Sequence, residues 1–253
     1  MKIKEFLKSI EGLAANTTRN YRATLWQLHS TIAGDEPTKE EIYRFLKMYA
    51  PSSLHRHRAA IKVYLEYMGI AWPFTRRQFA SKRQRIYRYV SPDVVQEIID
   101  AGGDQDEKMF ITALFQLGCR ISELRSIEQK NLTPSGVRVV TKGGNEYLKL
   151  TTKSFNKELS AYAQGKKGKI FPHTYNYYDQ LLKRLANKAG RADVSLHMLR
   201  HGRAIDLLRK GMALSDLQQF LNHASIATTA IYLQVDHADL AKQLEIADGN
   251  VED

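Results

Sequence analysis

The sequence of 253 residues carries a formal net charge of +11, a pI near 9.6 and 43% hydrophobic residues, so it is long enough for one large or two ordinary domains with apolar cores. The basic balance indicates a polyanionic partner, although charge alone does not separate nucleic acid from an acidic membrane surface. Cys119 is the only cysteine, which argues against a protein stabilised by internal disulfides. No stretch approaches the ~20 apolar residues of a membrane span, and the first residues lack the apolar core of a signal peptide, which argues against membrane-spanning and secreted proteins.

Residues 1–75 are predicted to be all-helical. Thr38 and Glu41 have the spacing of a capping box, which predicts a helix over residues 40–49, and a longer helix is expected over residues 53–68. Apolar residues recur at helical spacing on this longer segment, and basic side chains lie beside them. Taken alone, such charges are typical of a solvated helix face.

The next segment is a basic linker, for which we predict the bounds 76–89. Six basic side chains and no acidic one occur in it: Arg76, Arg77, Lys82, Arg83, Arg85 and Arg88. A segment that crosses a DNA backbone needs such charge, because each neutralised phosphate releases counterions and adds affinity that does not depend on sequence. The alternative is a merely soluble tether between two domains.

A second folded unit is predicted from about residue 90. Ser91 followed by a proline has the form of a helix N-terminus, and helices are expected over residues 92–101 and 106–117. Residues 137–150 alternate around a Gly-Gly-Asn turn, which predicts a β-hairpin with Lys142 at the end of its first strand.

The last part of the chain is predicted to return to helix. One helix is expected over residues 176–189, and three more are expected from residue 196 onwards. The first of these three should end near Lys210, and Ser215 with Gln218 has the spacing of a capping box for the second.

These helices carry side chains that suit phosphoryl transfer. His197 and Arg200 are three residues apart and share a helix face, and His223 lies nine residues before Tyr232. Upstream, Arg120 follows a Gly-Cys break between helical stretches. A guanidinium can hold two phosphate oxygens, an imidazole can move a proton, and a phenol can attack phosphorus.

Taken together and in chain order, the set resembles the active site of the tyrosine recombinases, the phage integrases and Xer-type site-specific recombinases: Arg120, Lys142, His197, Arg200, His223 and Tyr232. The resemblance covers roughly residues 10–240. Three departures flank the reactive groups, where Cys119, Asn222 and Leu196 replace a leucine, a glycine and a proline that are usual in the family.

The resemblance implies a mainly α fold with a small β-hairpin or sheet. It divides the chain into an all-helical core DNA-binding domain (1–75), the basic linker, an α+β catalytic domain (90–236) and a C-terminal tail (237–253) exchanged between protomers. Folding back on its own domain is the alternative for the tail. The implied DNA contacts are the six linker cations together with Arg19, Arg22, Arg56 and Arg58.

The activity implied is site-specific recombination through a 3′-phosphotyrosyl intermediate and a Holliday junction, without metal, ATP or another cofactor. The expected partners are double-stranded DNA with specific recombination sites and three further copies of the chain, in the cytoplasm and at the nucleoid. The roles are attack by Tyr232, charge stabilisation by Arg120 and Arg200, protonation of the leaving oxygen by Lys142, proton transfer by His197, a phosphate hydrogen bond from His223 and orientation by Glu123.

Three alternatives stay open. His197 and His201 are four residues apart and could bind a metal, but the sequence offers no third ligand nearby. A type IB topoisomerase would use the same chemistry to relax one duplex without exchanging partners. A DNA-binding regulator with a vestigial site could use residues 215–222 in a helix-turn-helix.

Overall fold

The computed structural model describes residues 2–34, 36–75, 78–79, 88–140, 144 and 146–234. The chain divides into two compact units, Met1–Arg85 and Ile86–Asp253. No helix in the described ranges is long and apolar enough to cross a membrane.

The N-terminal unit contains four helices in its described part. They are α1 (Lys2–Ser9), α2 (Ala15–His29), α3 (Lys39–Lys47) and α4 (Pro51–Tyr67). The predicted capping box is confirmed, since Thr38 accepts a hydrogen bond from the backbone N–H of Glu41 and the Glu41 carboxylate accepts one from the backbone N–H of Thr38. Side chains from all four helices form one buried core, including Phe6, Leu25, Phe45, Ile61 and Leu65.

The second unit is mostly helical with a small sheet, which confirms the predicted fold class at this level. Its helices are α5 (Pro92–Asp100), α6 (Gln105–Leu117), α7 (Ile121–Leu124), α8 (Lys153–Ala163), α9 (Tyr175–Lys188), α10 (Leu196–Arg209), α11 (Leu214–Leu221) and α12 (Ile226–Ala230). Its strands, β1 (Leu132–Thr133), β2 (Gly136–Val140) and β3 (Glu146–Leu150), form an antiparallel sheet in the order β1-β2-β3.

Two glycines are required by close approaches of the backbone. A Cβ at Gly136 would lie 2.0 Å from the carbonyl oxygen of Lys149 on β3, and a Cβ at Gly202 on α10 would lie 2.1 Å from the carbonyl oxygen of Val90. Both distances are impossible for a side chain. Gly202 therefore lets the start of the second unit run directly against the helix that carries Arg200.

Several element boundaries differ from the predictions. Strand β1 was not predicted, because two residues are too few for an alternating pattern. Helix α8 was not predicted either, although Thr152 at its start caps it through a hydrogen bond from the Phe155 backbone N–H. The predicted cap at Ser215 is wrong. Gly211, with φ 86°, ends the turn after α10, and α11 restarts at Leu214 with Ala213 at its N-cap, so Ser215 lies inside the first turn.

Candidate active site

The break between α6 and α7 delivers Arg120. Gly118 ends α6 in the left-handed conformation, with φ 52°, and Arg120 caps α7 with extended backbone. The buried Glu123 carboxylate accepts hydrogen bonds from the Arg120 backbone N–H at 2.7 Å and from its guanidinium Nη1 at 2.8 Å. The Arg120 side chain remains 43% exposed. The Arg120 guanidinium is thus oriented by a buried carboxylate, and its exposed side is open to an anion from solvent.

Arg200 is anchored inside the protein by main-chain carbonyls. Its side chain on α10 is only 4% exposed; Nη1 donates to the Gly118 carbonyl and Nη2 to the Leu221 carbonyl, each at 2.7 Å. Nη1 also lies 3.7 Å from the Glu123 carboxylate. Burial, and then the charge of Arg120, lowers the pKa of Arg200, but a guanidinium stays protonated in proteins. Arg200 therefore ties together the ends of α6 and α11 around a fixed positive charge.

His223 follows the C-terminus of α11 at a fixed turn. Asn222 adopts the left-handed conformation, with φ 51° and ψ 53°, and the N–H groups of Asn222 and His223 donate back to the carbonyls of Gln219 and Gln218 at 2.9 and 3.0 Å. This is a Schellman motif, in which glycine is favoured and asparagine tolerated. It explains why the family's usual glycine can be an asparagine in this chain.

The His223 ring is held by a second contact. Its Nδ1 lies 2.9 Å from the hydroxyl of Thr229, which is fully buried on α12. Nε2 is the ring nitrogen that this contact does not use. The ring can therefore present Nε2 to a substrate with its orientation already fixed.

Tyr232 lies in the 3₁₀ turn Ile231–Gln234 that follows α12, and it is only 3% exposed. Its hydroxyl lies 2.9 Å from Nδ1 of His201. The Tyr232 and His223 rings are nearly parallel, with centroids 6.4 Å apart and an interplanar angle of 14°. The phenol therefore lies near two imidazoles and hydrogen-bonds one of them.

The histidine at the phenol is His201, whereas the resemblance assigned proton transfer to His197. His197 is exposed on the first turn of α10, and its pKa is lowered by desolvation and by the charges of Arg200 and Arg120. His201 entered the sequence reasoning only as half of a possible metal pair. Spacing does not separate the two histidines, because His201 lies one helical turn beyond His197 on the same helix.

Both histidines beside Tyr232 are neutral near pH 7. Burial, followed by the charges of His197 and Arg200, lowers the pKa of His201 to about 4. Burial, followed by the charges of Arg200 and Arg120, lowers the pKa of His223 to about 4. A neutral imidazole can accept the phenol proton, and a bound phosphate would raise both pKa values by offsetting the arginine charges.

The site keeps an excess of positive charge. Burial opposes ionisation of Glu123, but the hydrogen bonds from Arg120 and the charge of Arg200 outweigh it, so the pKa of Glu123 is lowered. Two positively charged guanidiniums therefore face one negatively charged carboxylate. The remaining positive charge can be balanced by the single negative charge of a phosphodiester. Among the described residues, no three or more His, Cys, Asp or Glu side chains cluster as a metal site would require.

Several predicted residues lie outside the described residues. These are Lys142, the linker cations Arg76, Arg77, Lys82, Arg83 and Arg85, and the tail 237–253. The remaining linker cation, Arg88, is exposed, with its guanidinium 4.0 Å from the Asp193 carboxylate.

The candidate DNA contacts of the N-terminal unit lie on two packed helices. Arg19 and Arg22 are exposed on α2, and Arg56 is exposed on α4. Arg58 is half-buried, and its guanidinium lies 4.8 Å from the Phe79 ring centroid. Arg58 is therefore already engaged with an aromatic face, while the other three are open to solvent.

Comparison with known proteins decides the family. The sequence pattern of the "Phage integrase family" matches residues 88–239, which is more than half of the chain. The chain belongs to the phage integrase family. It is a tyrosine recombinase, an enzyme of site-specific DNA recombination, and its relatives carry the same class of name.

Two curated relatives illustrate the range. Tyrosine recombinase XerA of Pyrococcus horikoshii is 26% identical over 261 residues, covering 94% of this chain and 90% of the relative. A tyrosine recombinase of Thermosipho africanus is 29% identical over 224 residues, covering 81% and 75%.

Solved structures share the fold at lower identity. XerH site-specific recombinase bound to palindromic difH substrate, in a post-cleavage complex, matches with a TM-score of 0.77 and 18% identity over 96% of this chain and 83% of that one. A lambda integrase tetramer bound to a Holliday junction matches with a TM-score of 0.76 and 15% identity over 91% and 76%.

Proposed function

We propose that this recombinase cleaves and rejoins DNA strands by transesterification at Tyr232. The observation that carries the proposal is the 2.9 Å contact between the Tyr232 hydroxyl and His201, one residue from the anchored Arg200. A phenol, a neutral proton acceptor and a buried cation thus meet at one place. These are the groups that in-line attack on a phosphodiester requires.

In the cleavage step, the Tyr232 oxygen bonds to the scissile phosphorus while the bond to the leaving 5′ oxygen breaks. The phenol proton passes to Nδ1 of His201. The products are a 3′-phosphotyrosyl ester and a 5′-hydroxyl. The ester conserves the energy of the broken bond, so the 5′-hydroxyl of a partner strand can reverse the step without ATP, and two rounds pass through a Holliday junction.

The other site residues act on the phosphate and the leaving group. Arg120 and Arg200 stabilise the charge of the pentavalent transition state, with Glu123 orienting Arg120. His223 donates a hydrogen bond to the phosphate, and the exposed His197 assists there. Lys142, from its place between β2 and β3 in the chain, protonates the leaving 5′ oxygen. None of these roles uses a metal ion or a nucleotide cofactor.

The test is a search for covalent adducts on DNA of the host replicon in the presence of EDTA. Adducts should form at discrete sites, with protein on 3′ ends, and a plasmid carrying two such sites should undergo deletion or inversion. Relaxation of any supercoiled plasmid without exchange would indicate a type IB topoisomerase. Binding without adducts would indicate a regulator. The names of the relatives favour strand exchange.

The N-terminal helical unit and the basic linker are proposed to hold the duplex through its phosphates. The support for this is that Arg19, Arg22 and Arg56 are exposed on two helices that pack against each other. Changing each to Gln should weaken binding to all sequences and reduce the slope of log affinity against log salt by about one unit per lost contact. The same measurement should be made on variants of the linker cations. Unchanged salt slopes in those variants would mean that the linker is a passive tether.

The active assembly is proposed to be a tetramer on two DNA sites, in the cytoplasm at the nucleoid, with residues 237–253 exchanged between protomers. A helix over this acidic segment would gather five of its apolar residues on one face: Ala238, Leu240, Ala241, Leu244 and Ile246. A chain lacking residues 237–253 should bind single half-sites but assemble poorly on paired sites, as measured by light scattering. Equal tetramer yield would contradict exchange, and loss of folding would favour fold-back.

A further inference from the structure

Strand β3 is inverted relative to an ordinary amphipathic strand. Leu148 and Leu150 point outward, with exposed fractions of 45% and 61%, whereas Lys149 between them is 1% exposed. Alternation alone would bury the leucines and expose the lysine. Burying an ammonium group is costly unless it is hydrogen-bonded, so an inward lysine needs a specific partner.

That partner is the end of α11. The Lys149 ammonium donates a hydrogen bond to the carbonyl of Phe220, and Nζ lies 4.1 Å from the centroid of the Phe220 ring. Leu221, the next residue, gives its carbonyl to Arg200 at 2.7 Å. Two buried basic side chains therefore donate hydrogen bonds to two successive carbonyls in the last turn of one helix.

These two contacts complete the hydrogen bonding of the helix end. An α-helix leaves its last carbonyls without intrahelical donors. At the end of α11, the carbonyls of Gln218 and Gln219 accept from the two backbone N–H groups of the Schellman motif, and those of Phe220 and Leu221 accept from Lys149 and Arg200. The cations also complement the negative end of the helix dipole.

We propose that Lys149 is a positioning residue of the active site, which holds the C-terminus of α11 so that His223 meets the scissile phosphate. His223 is the second residue after this helix, and Arg200 anchors the same last turn through the carbonyl of Leu221. The inference rests on the proposed role of His223. It adds a second lysine to the site besides Lys142, with a different task.

The surroundings of Lys149 permit this role at neutral pH. Burial lowers its pKa to about 7, while the Glu123 carboxylate favours the charged form and Arg200 and Arg120 oppose it. Both the amine and the ammonium carry N–H groups, so either form can donate to the Phe220 carbonyl.

The first test compares Lys149→Met, which keeps the length of the side chain but removes the donor, with Lys157→Met at an exposed position on α8. Adduct formation on a cognate half-site should slow about 10- to 100-fold for Lys149→Met and remain unchanged for Lys157→Met, with half-site affinity unchanged in both. A wild-type rate for Lys149→Met would overturn the proposal. Lys149→Gln, which keeps an N–H donor, follows the same protocol, so the test does not depend on one variant folding.

The second test is a double-mutant cycle with His223→Ala. If Lys149 acts through His223, adding Lys149→Met to His223→Ala should slow the reaction less than about twofold further. A full additional loss would place the effect of Lys149 elsewhere. Failure of the proposed function would look different, because wild-type protein would then form no adduct at all.

The third test separates positioning from protonation of the leaving group. A substrate with sulfur in place of the leaving 5′ oxygen expels a thiolate that needs little proton assistance. Lys142→Ala should regain most of its rate on this substrate, whereas Lys149→Met should remain slow. Recovery of Lys149→Met to the wild-type rate would make Lys149 the general acid and overturn the positioning role.

Discussion

The hydroxyl of Tyr232 lies 2.9 Å from Nδ1 of His201, and His201 directly follows Arg200 on α10. Arg200 is itself anchored to the carbonyls of Gly118 and Leu221. One turn of one helix therefore carries both a buried cation and the imidazole that contacts the Tyr232 hydroxyl. The attack by Tyr232 that we propose would use both of these groups.

The two histidines of α10 should differ in their effect on cleavage. His201→Gln removes the proton acceptor at Tyr232 and should slow adduct formation about 10²-fold, because general base catalysis contributes at least that much. His197→Gln, at an exposed position, should cost less. Single-turnover rates on a half-site measure both. A larger loss for His197→Gln would return the proton-transfer role to His197.

Substitutions of Arg120 and Arg200 should both slow cleavage but should differ in their effect on the stability of the folded protein. Arg200→Ala leaves two carbonyls unpaired and Glu123 with one fewer cation, so the free energy of unfolding should fall by about 3 kcal/mol. Arg120→Ala, at a side chain open to solvent, should cost about 1 kcal/mol or less. Both should slow cleavage at least about 10²-fold.

Urea unfolding of these variants should be followed by circular dichroism. Both tryptophans, Trp26 and Trp72, lie in the N-terminal unit, so their fluorescence reports on that unit and serves as an internal control. Equal destabilisation by the two substitutions would contradict the anchoring role of Arg200.

Several helix starts could be predicted from the sequence, whereas the contacts around the candidate site depend on tertiary structure. The capping residues Thr38 and Ser91 mark helix starts by local chemistry, and both cap their helices in the structure. The assignment of His201 could not be made from spacing, because His197 and His201 lie one turn apart on the same helix. The burial of Lys149 contradicts local alternation, since its reason is a carbonyl on a helix about seventy residues away in the chain.

The second unit should lose stability in mild acid. The pKa values of His201 and His223 are about 4 in the folded protein, below the ordinary value of 6.5, so the unfolded chain binds more protons between these limits. The stabilisation of the folded state that depends on these two histidines being neutral is complete above about pH 6.5, and it is lost as the pH falls towards 4. Because both rings are half-exposed, we expect a loss of about 1 to 2 kcal/mol in total at pH 5. Urea midpoints at pH 7 and pH 5 test this, and the double variant His201→Gln/His223→Gln should lose most of the difference. An unchanged pH dependence in that variant would assign the acid sensitivity to other groups.

Asn222 should be replaceable by glycine but not by alanine. Its φ of 51° is left-handed, where a β-carbon costs roughly 1–2 kcal/mol and asparagine is better tolerated. Asn222→Ala should therefore lower the free energy of unfolding by about 1 kcal/mol and slow cleavage by displacing His223, whereas Asn222→Gly should match the wild type within about 0.5 kcal/mol. Equal behaviour of the two variants would mean that the turn does not fix His223.

The most direct measurement is identification of the residue that carries DNA in a trapped adduct. In a half-site with a nick beside the cleavage position, cleavage releases a short fragment that carries the free 5′-hydroxyl. Religation is then prevented, so the covalent intermediate accumulates in EDTA and can be digested for mass spectrometry. We predict a nucleotide joined through its 3′ phosphate to the peptide containing Tyr232, and no adduct from Tyr232→Phe. A nucleotide on any other residue, or undiminished adduct from Tyr232→Phe, would contradict attack by Tyr232.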